Sequence, residues 1–340
     1  MSHAISVPEE AREQLNATVA ALRQPATYPG TEAPNEAIET HMAWVFLTAS
    51  HAYKLKKPIR ARLIDHRTVE ARRRACHTEV ELNRRLAAPV YLGVVPLAED
   101  EDGLRLEGEG SPVDWLVKMR RLPRTQMLDA RIENDQVSHA SIDQLGTTLA
   151  AFYRAAAPVR WSGDEYQGQL VANLTSKRSF LERPRYDLDQ GLVRAVARAQ
   201  SQWRTEHAPL LKARASRVVD AHGDLRPEHI CLTDPPLVID CLEFNRSLRL
   251  LDPLSELSFL SLECRRLGAE WIGDEIIALY RQHTGDDASP RLVPFYESYH
   301  AVVRATIAVW HLDDKAFGDT NTCTWREQAE AYLRLAHERL

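Results

Sequence analysis

Alternating apolar and polar positions predict a short β-hairpin near residue 50. Two runs have the length and composition of strands, residues 44–48 (WVFLT) and residues 52–56 (AYKLK), and the tight connection 49–51 joins them. Because successive side chains of a strand point to opposite faces, Lys54 shares a face with Ala52. The pattern therefore predicts a lysine held on a strand of a small sheet.

A helix and three further strands are predicted after this hairpin. The helix spans residues 68–86, with Cys76 and Val80 on its apolar face, and Arg72, Arg73 and Arg74 are expected to reach solvent from its early turns. The strand candidates are residues 91–97, 103–106 and 114–119. Residues 38–119 therefore read as β-β-α-β-β-β, a small sheet that carries one helix.

The pattern changes after Pro123, where helical periodicity dominates. Helices are predicted over residues 124–132, 141–157, 168–184, 190–212, 252–267, 269–284, 290–314 and 323–340, and one near the N-terminus over Glu9–Leu22. We expect an α+β fold with four parts: an N-terminal helical extension (1–34), a first lobe (35–119), a hinge (120–123) and a helical second lobe (124–340).

The exception to helical periodicity in the second lobe is the stretch 218–244. Two apolar runs, residues 230–232 and 237–239, flank the turn Thr-Asp-Pro-Pro. A hairpin this short brings its outer ends together. Those ends carry His222, Asp224, His229, Asp240 and Glu243. Structural carboxylates are usually scattered over solvated faces, so this clustering indicates a functional site.

Composition and charge narrow the class of protein. A chain of 340 residues with 44% hydrophobic and 27% charged residues is typical of a soluble globular protein. Its net charge of -5 gives no general reason to expect nucleic acid as a partner. No apolar run approaches the length of a membrane span, and the polar N-terminus is unlike a signal peptide. Five cysteines without a CxxC pair favour reduced thiols in the cytoplasm.

Four side chains have chemistry that fits together. Asp224 can act as a base or orient an attacking hydroxyl, and Asp240 is a hard oxygen ligand suited to Mg²⁺. Lys54 can reach polyphosphate oxygens from its strand. Glu79, on the following helix, is the natural partner to hold Lys54 extended, with Glu81 as the alternative.

The order of these residues along the chain is that of protein kinases. Residues 222–229, HGDLRPEH, resemble the H-G-D-x-x-x-x-N loop of the aminoglycoside phosphotransferase and choline kinase families. Residues 238–240 with Glu243 resemble their I-D-x-x-E element, and residues 251–257, LDPLSEL, resemble their G-D-P-x-x-D-L segment. Residues 52–54 resemble the A-x-K strand of kinases.

Three shorter stretches are similar to one uncharacterised bacterial branch of this family. They are residues 39–41 (ETH), 53–58 (YKLKKP) and 83–86 (NRRL). Members of that branch are often joined to a P-loop ATPase domain. The sequence contains no G-x-x-x-x-G-K-[ST] motif, so we expect no such domain in this chain.

The resemblance implies a protein-kinase-like, bilobal fold and an ATP-dependent phosphotransferase. Asp224 would accept or orient the proton of the substrate hydroxyl, and Asp240 would bind Mg²⁺ that bridges the nucleotide phosphates. Lys54, fixed by Glu79, would hold the α- and β-phosphates. The hinge segment, Met119 to Leu122, would meet adenine through backbone groups.

Two positions depart from the family pattern. His229 stands where the metal-binding Asn is expected, and imidazole is a poorer ligand than an amide oxygen for Mg²⁺. His229 would bind metal in a site that also tolerates Mn²⁺, contact the metal through water, or brace Asp224. No glycine-rich loop precedes the first strand, and Thr40 and His41 occupy the place where it would end. These two residues would donate hydrogen bonds to phosphate, or simply form the entry to the strand.

Three functions remain open on the sequence. The favoured one is an ATP-dependent kinase that acts on a hydroxyl of a sugar, amino alcohol or aminoglycoside-like molecule. A metal-dependent hydrolase would use the same histidines and carboxylates but leaves Lys54 and Glu79 without a purpose. A non-catalytic, nucleotide-binding pseudokinase would explain His229 and the missing glycine loop.

Overall fold

The computed structural model describes residues 7, 9–30, 33–61, 64–101, 103–313 and 322–340, and the chain divides into two compact units. Unit 1 comprises Met1–Gln126 and Leu237–Asn245, and unit 2 comprises Met127–Pro236 and Arg246–Leu340. We expected all of residues 124–340 in one lobe. The structure instead groups residues 237–245, which include Asp240, with the N-terminal part of the chain.

Unit 1 is built on a six-stranded antiparallel sheet. The strands of this sheet are β1 (Glu36–Glu39), β2 (Ala43–Leu47), β3 (His51–Lys56), β6 (Tyr91–Asp100), β7 (Gly103–Leu106) and β8 (Ser111–Arg120). Strands β4 (Arg60–Ala61) and β5 (Ile64–Asp65) form a separate short hairpin. The order across the sheet is β1-β2-β3-β8-β6-β7. Strand β3 is therefore central, with a partner on each side.

The alternation of β3 divides its side chains between two packing clusters. Tyr53 and Leu55 are buried in a cluster that includes residues of helix α1 (Glu9–Leu22). Ala52 packs in a second cluster with Cys76 and Val80 of helix α2 (Val69–Ala87). Because side chains alternate, Lys54 and Lys56 lie on the face of Ala52, toward α2.

Unit 2 is mostly helical. Its helices are α3 (Leu128–Glu133), α4 (His139–Ala155), α5 (Gly163–Leu181), α6 (Gln190–Glu206), α7 (Ala208–Ala213), α8 (Pro253–Arg266), α9 (Glu270–Thr284), α10 (Leu292–Asp313) and α11 (Thr322–Glu338). A large apolar core joins α5, α6, α10 and α11 through Phe180, Val196, Val302 and Leu333. Short strands β9 (Val219–Asp220), β10 (Ile230–Cys231) and β12 (Leu250–Leu251) accompany the helices.

Several elements differ from the sequence prediction. The helix expected over 190–212 is broken at His207, whose backbone leaves the helical region, and Pro209 begins the next turn without an N–H to donate. Strand β1 was not predicted because its sequence, EAIE, has no apolar run. The two runs of the 218–244 stretch are strands of two residues each, β10 and β11 (Leu237–Val238).

Arg72 does not reach solvent, so that prediction is wrong. It is buried in the first turns of α2, where its Nε and Nη2 atoms donate to the carboxylate of Asp114 on β8 at 2.9 and 2.8 Å. Its Nη1 atom donates to the carbonyl oxygen of His66 at 3.0 Å. A buried guanidinium is tolerated here because its donors have acceptors.

Two observations bear on membranes and thiols. No helix in the described ranges is long and apolar enough to cross a membrane. The five cysteines all lie in the described ranges and none forms a disulfide, and four of them are buried. Burial raises the pKa of the Cys76 thiol to about 12, which keeps it protonated and unreactive.

Candidate active site

Lys54 lies at the centre of an ion-pair cluster in unit 1. Its Nζ atom is 2.9 Å from Oε1 of Glu79 and 2.6 Å from Oδ1 of Asp240. Glu79 is fully buried, whereas the Asp240 side chain is 43% exposed. The expected Lys54–Glu79 pair is therefore present, and it is joined to the second aspartate of the family motif.

The burial of Glu79 follows from the packing of α2. The helix presents Cys76, Glu79, Val80 and Asn83 as buried residues, which is the i, i+3, i+4, i+7 spacing of one helix face. Glu81, the alternative partner for Lys54, is exposed. The helix face thus selects Glu79 as the partner of Lys54.

A second lysine shares the same carboxylate. Nζ of Lys56 is 2.6 Å from Oε2 of Glu79 and also pairs with Oε1 of Glu243, and its side chain is only 2% exposed. Lys56 lies on the same face of β3 as Lys54. In this arrangement its ammonium is committed to two carboxylates, so it neutralises the cluster from within.

The electrostatics of the cluster favour the charged forms. Burial alone would lower the pKa of Lys54, but the carboxylates of Asp240, Glu79 and Glu243 raise it well above its ordinary value. Burial would likewise raise the pKa of Glu79, but Lys54 and Lys56 lower it. Near neutral pH both the lysine and the glutamate are therefore ionised.

Backbone contacts fix the position of Asp240. Its backbone has a φ of 62°, in the left-handed region that residues other than glycine rarely adopt. Its N–H donates to the hydroxyl of Tyr91 at 3.1 Å, and the N–H of Cys241 donates to Oδ1 of Asn83 at 2.8 Å. The unusual conformation is thus secured by side chains of β6 and α2.

Asp224 belongs to a second cluster, in unit 2. Its carbonyl oxygen is 2.8 Å from Nδ1 of His229, which also lies 3.6 Å from Oδ2 of the same aspartate. The N–H of Asp224 donates to Nδ1 of His222 at 3.3 Å, and His222 is buried. The two histidines therefore brace the loop that carries Asp224.

Glu256 supports this loop from helix α8, a role that was not predicted from the sequence. Its buried carboxylate accepts the N–H of His222 at 3.1 Å, the N–H of Gly223 at 2.5 Å and the hydroxyl of Tyr153 at 2.7 Å. The available signal was the LDPLSEL segment, in which Glu256 occupies the acidic position. Its partners are contacts that spacing along the chain does not predict.

The remaining candidates lie in the turn between β1 and β2, near the end of β8, or just beyond that strand. Thr40 closes the turn between β1 and β2, where its hydroxyl accepts the N–H of Ala43 at 3.0 Å, and His41 lies half-buried in the same turn. Met119 is buried on β8 opposite Ala52, and Leu122 packs against the cluster around α2. Their contacts with a nucleotide stay a prediction.

Two comparisons of sequence found matches, and one of them identifies the family. The model of the phosphotransferase enzyme family, APH, matches residues 61–292. Uncharacterized proteins of Mycobacterium tuberculosis and Mycobacterium bovis are 33% identical over 288 residues, which cover 82% of this chain and 56% of each relative. The chain thus spans little more than half the length of these curated relatives.

Solved structures with a similar fold include three kinases. A choline/ethanolamine kinase family protein from Mesorhizobium loti has a TM-score of 0.54 at 15% identity and covers 97% of both chains. A choline kinase from Cryptosporidium parvum gives 0.56 at 11%, covering 96% of this chain and 95% of that chain. A choline kinase from Streptococcus pneumoniae gives 0.52 at 14%, covering 96% and 99%.

The predicted α+β, protein-kinase-like fold and the family resemblance are both confirmed by these matches. At such low identity the structural neighbours establish the fold alone, whereas the family assignment rests on the match to the family model. By its sequence, this chain belongs to the phosphotransferase enzyme family.

Proposed function

We propose that this chain is an ATP-dependent kinase that transfers the γ-phosphate to a hydroxyl group of a small molecule. The observation that carries the proposal is the pairing of Lys54 with both Glu79 and Asp240 in unit 1. A lysine held between a buried carboxylate and an exposed one is charged, extended and next to a ligand for a hard cation. Both features serve the binding of nucleotide phosphates.

Each cluster would supply one part of the reaction. In unit 1, Lys54 would neutralise phosphate oxygens while Glu79 and Lys56 keep its position. In unit 2, Asp224 would accept the proton of the acceptor hydroxyl, or orient that hydroxyl, as the oxygen attacks the γ-phosphorus and the bond to ADP breaks. Phosphoryl transfer depends mostly on positioning and charge neutralisation, so a few fixed groups suffice.

We infer a divalent cation as cofactor from the chemistry of Asp240 and of His229, each taken within its own unit. Asp240 offers exposed carboxylate oxygens, and Mg²⁺ commonly takes one or two carboxylates and completes its shell with phosphate oxygens and water. A carbonyl oxygen can only accept, so Nδ1 of His229 donates to Asp224, and Nε2 is the ring nitrogen that would bind a metal. A ring held in this way is typical of metal-binding histidines, and nitrogen ligation favours Mn²⁺ over Mg²⁺. The bound ion would neutralise the charge of the phosphates.

A paired set of variants tests the kinase proposal. Purified protein with ATP and Mg²⁺ or Mn²⁺ is assayed for ADP release against sugars, amino alcohols, hydroxy acids and aminoglycosides. We expect Asp224→Ala to lower turnover by at least ~10³-fold and to leave ATP binding intact, because it removes only the group that faces the hydroxyl. Asp240→Asn is expected to weaken ATP binding in the presence of the metal. Wild-type turnover that stays at the Asp224→Ala level with every acceptor would refute the proposal.

The same measurements separate the two alternative functions. A pseudokinase would show an ATP-dependent rise in melting temperature, lost in Asp240→Asn, without ADP release. A metal-dependent hydrolase would release phosphate from a phosphoester without nucleotide and would be insensitive to Lys54→Met. The Lys54–Glu79 pair favours a nucleotide-binding protein over such a hydrolase, because a hydrolase has no use for it.

A further inference from the structure

An unpaired lysine lies between two helices of unit 2. Lys177, on α5, is half-buried, and within the described ranges no carboxylate or carbonyl oxygen accepts from its ammonium. Burial lowers its pKa to about 8, and no charged neighbour contributes to that shift. A desolvated ammonium without a partner lowers the stability of the folded protein. Such a group is therefore a candidate for binding a ligand that supplies the missing partner.

The surroundings of Lys177 are polar and partly open. Asn173, one turn earlier on α5, donates from Nδ2 to the hydroxyl of Tyr299 on α10 at 3.2 Å. His300, the next residue of α10, is close enough to Lys177 for the lysine to help lower the histidine pKa to about 3, after burial, which is the main cause. Neutral amide, hydroxyl and imidazole groups therefore line this place.

Helix α10 has a partly exposed face that begins after His300. The next residues on the same helix face, Val303, Arg304 and Ile307, are half-buried in a helix whose other faces are largely buried. Arg304 is held by Glu263 of α8 at 3.5 Å and by the hydroxyl of Tyr332 at 3.4 Å. Of these two cations, Lys177 is the one without a counter-ion.

Helix α8 connects this place to the loop of Asp224. Ser255 Oγ is 3.0 Å from Nε2 of His300. The adjacent residue, Glu256, accepts the N–H groups of His222 and Gly223, immediately before Asp224. Two consecutive residues of one helix thus contact His300 and the loop of the proposed base.

We propose that Lys177 is the counter-ion of an acidic group on the acceptor, so that the substrate is an anionic alcohol that carries a carboxylate or a phosphate. This inference rests on the proposed kinase function and specifies the acceptor class. It excludes the amines named for the structural neighbours, choline and ethanolamine, because an ammonium group beside Lys177 would be repelled in a partly desolvated site. An anion would supply the partner that the lysine lacks.

Two matched series of alcohols test the charge requirement. One comprises glycerol, glycerate, glycerol 3-phosphate and 3-aminopropane-1,2-diol, and the other comprises glucose, glucuronate, glucose 6-phosphate and glucosamine. Binding is measured by calorimetry with wild type, Lys177→Met, Lys177→Gln and the control Lys212→Met. Lys212 is a suitable control because it is a 45% exposed lysine that already pairs with Asp164. ADP release is measured in parallel.

We expect wild type to prefer the anionic members of at least one series. Both Lys177 variants should weaken anion binding by about 10- to 100-fold, as expected for loss of a charge-assisted hydrogen bond, and Lys212→Met should not. The Met variant should fold with an unchanged or higher melting temperature, since it removes a desolvated charge. The carboxylate and phosphate arms identify which acid is recognised.

The outcomes separate this inference from the kinase proposal. Anion binding that depends on Lys177 without ADP release would support the lysine site and refute the kinase. ADP release with neutral or cationic alcohols that is insensitive to Lys177→Met would do the opposite. If wild type binds no anionic member better than its neutral counterpart, or if both Lys177 variants bind anions as wild type does, the proposed acceptor class is wrong.

Discussion

Two lysines two residues apart on one strand have different roles. Lys54 is paired with a buried and an exposed carboxylate, so one of its partners is open to solvent and ligands. Lys56 is paired with Glu79, which is fully buried, and with Glu243, whose side chain is only 9% exposed. We therefore assign Lys54 to a proposed ligand contact and Lys56 to neutralisation of carboxylates inside the cluster. The difference between the two lysines is the solvent exposure of their carboxylate partners.

Replacement of Lys56 tests its internal role. Lys56→Met leaves Glu243 without its lysine and Glu79 with only one, so we expect a loss of roughly 3 kcal/mol in the free energy of unfolding. The matched control is Lys118→Met, because Lys118 pairs with Glu107 at 2.6 Å but both side chains are partly exposed. That change should cost no more than about 1 kcal/mol. Urea unfolding measures both values, and equal losses would contradict the internal role of Lys56.

At the scale of elements, helix α8 organises unit 2. The helix is buried over almost its whole length, which includes the polar residues Ser255, Glu256 and Glu263. Buried carboxylates persist only where hydrogen bonds or cations compensate for lost hydration. Glu256 accepts hydrogen bonds from N–H groups of the loop of Asp224. Glu263 accepts a hydrogen bond from Tyr332 and forms ion pairs with two arginines. Loop geometry is therefore tied to a helix that cannot move independently.

Substitution of Glu256 should loosen this loop. We expect Glu256→Ala to lower the free energy of unfolding by about 3 kcal/mol and to reduce kcat, because the N–H groups of His222 and Gly223 lose a buried acceptor. Glu256→Gln retains an accepting oxygen and should recover part of both losses. Tyr153→Phe removes one contact and should cost about 1 kcal/mol. Hydrogen exchange of the His222 and Gly223 amides reports the loop directly, and unchanged protection in Glu256→Ala would argue against this support.

Across the whole molecule, each unit contains a buried histidine that is held neutral. In unit 1, burial, followed by the charges of Lys56 and Arg72, lowers the pKa of His66 to about 4. In unit 2, burial and Lys177 lower the pKa of His300 to about 3. In the unfolded chain each histidine binds a proton near pH 6.5. The unfolded state therefore takes up more protons than the folded state as the pH falls below that value.

Stability should consequently decline on the acid side of pH 6.5. The contribution of each histidine is fully present above that pH and is lost as the pH falls toward the folded-state pKa, by roughly 2 kcal/mol per histidine at pH 5. We expect His66→Gln and His300→Gln each to flatten the pH dependence of the melting temperature between pH 7.5 and 5. Calorimetric scans of the single and double variants measure the slope. A slope unchanged in the double variant would assign the acid sensitivity to other groups.

Much of the fold and part of the candidate site could be predicted from local sequence. Helix and strand periodicity depends on neighbours a few residues apart, so it predicted α1, α2 and most of the sheet. The helix face of Glu79 likewise predicted its contact with Lys54. Breaks such as the one at His207 were missed because a single residue ends a helix without changing its periodicity.

Partnerships between distant residues were decided only by the folded chain. The sequence near Arg72 does not predict Asp114 as its partner, and the sequence near Lys56 does not predict Glu243. The same holds for Glu256, which supports a loop more than thirty residues away, and for Lys177, which is half-buried and has no partner among the residues that the structure describes. The sequence by itself determines which side chains can carry a charge. Which charges are neutralised, and which one is left for a ligand, depends on desolvation and on contacts that exist only after the helices and strands have packed.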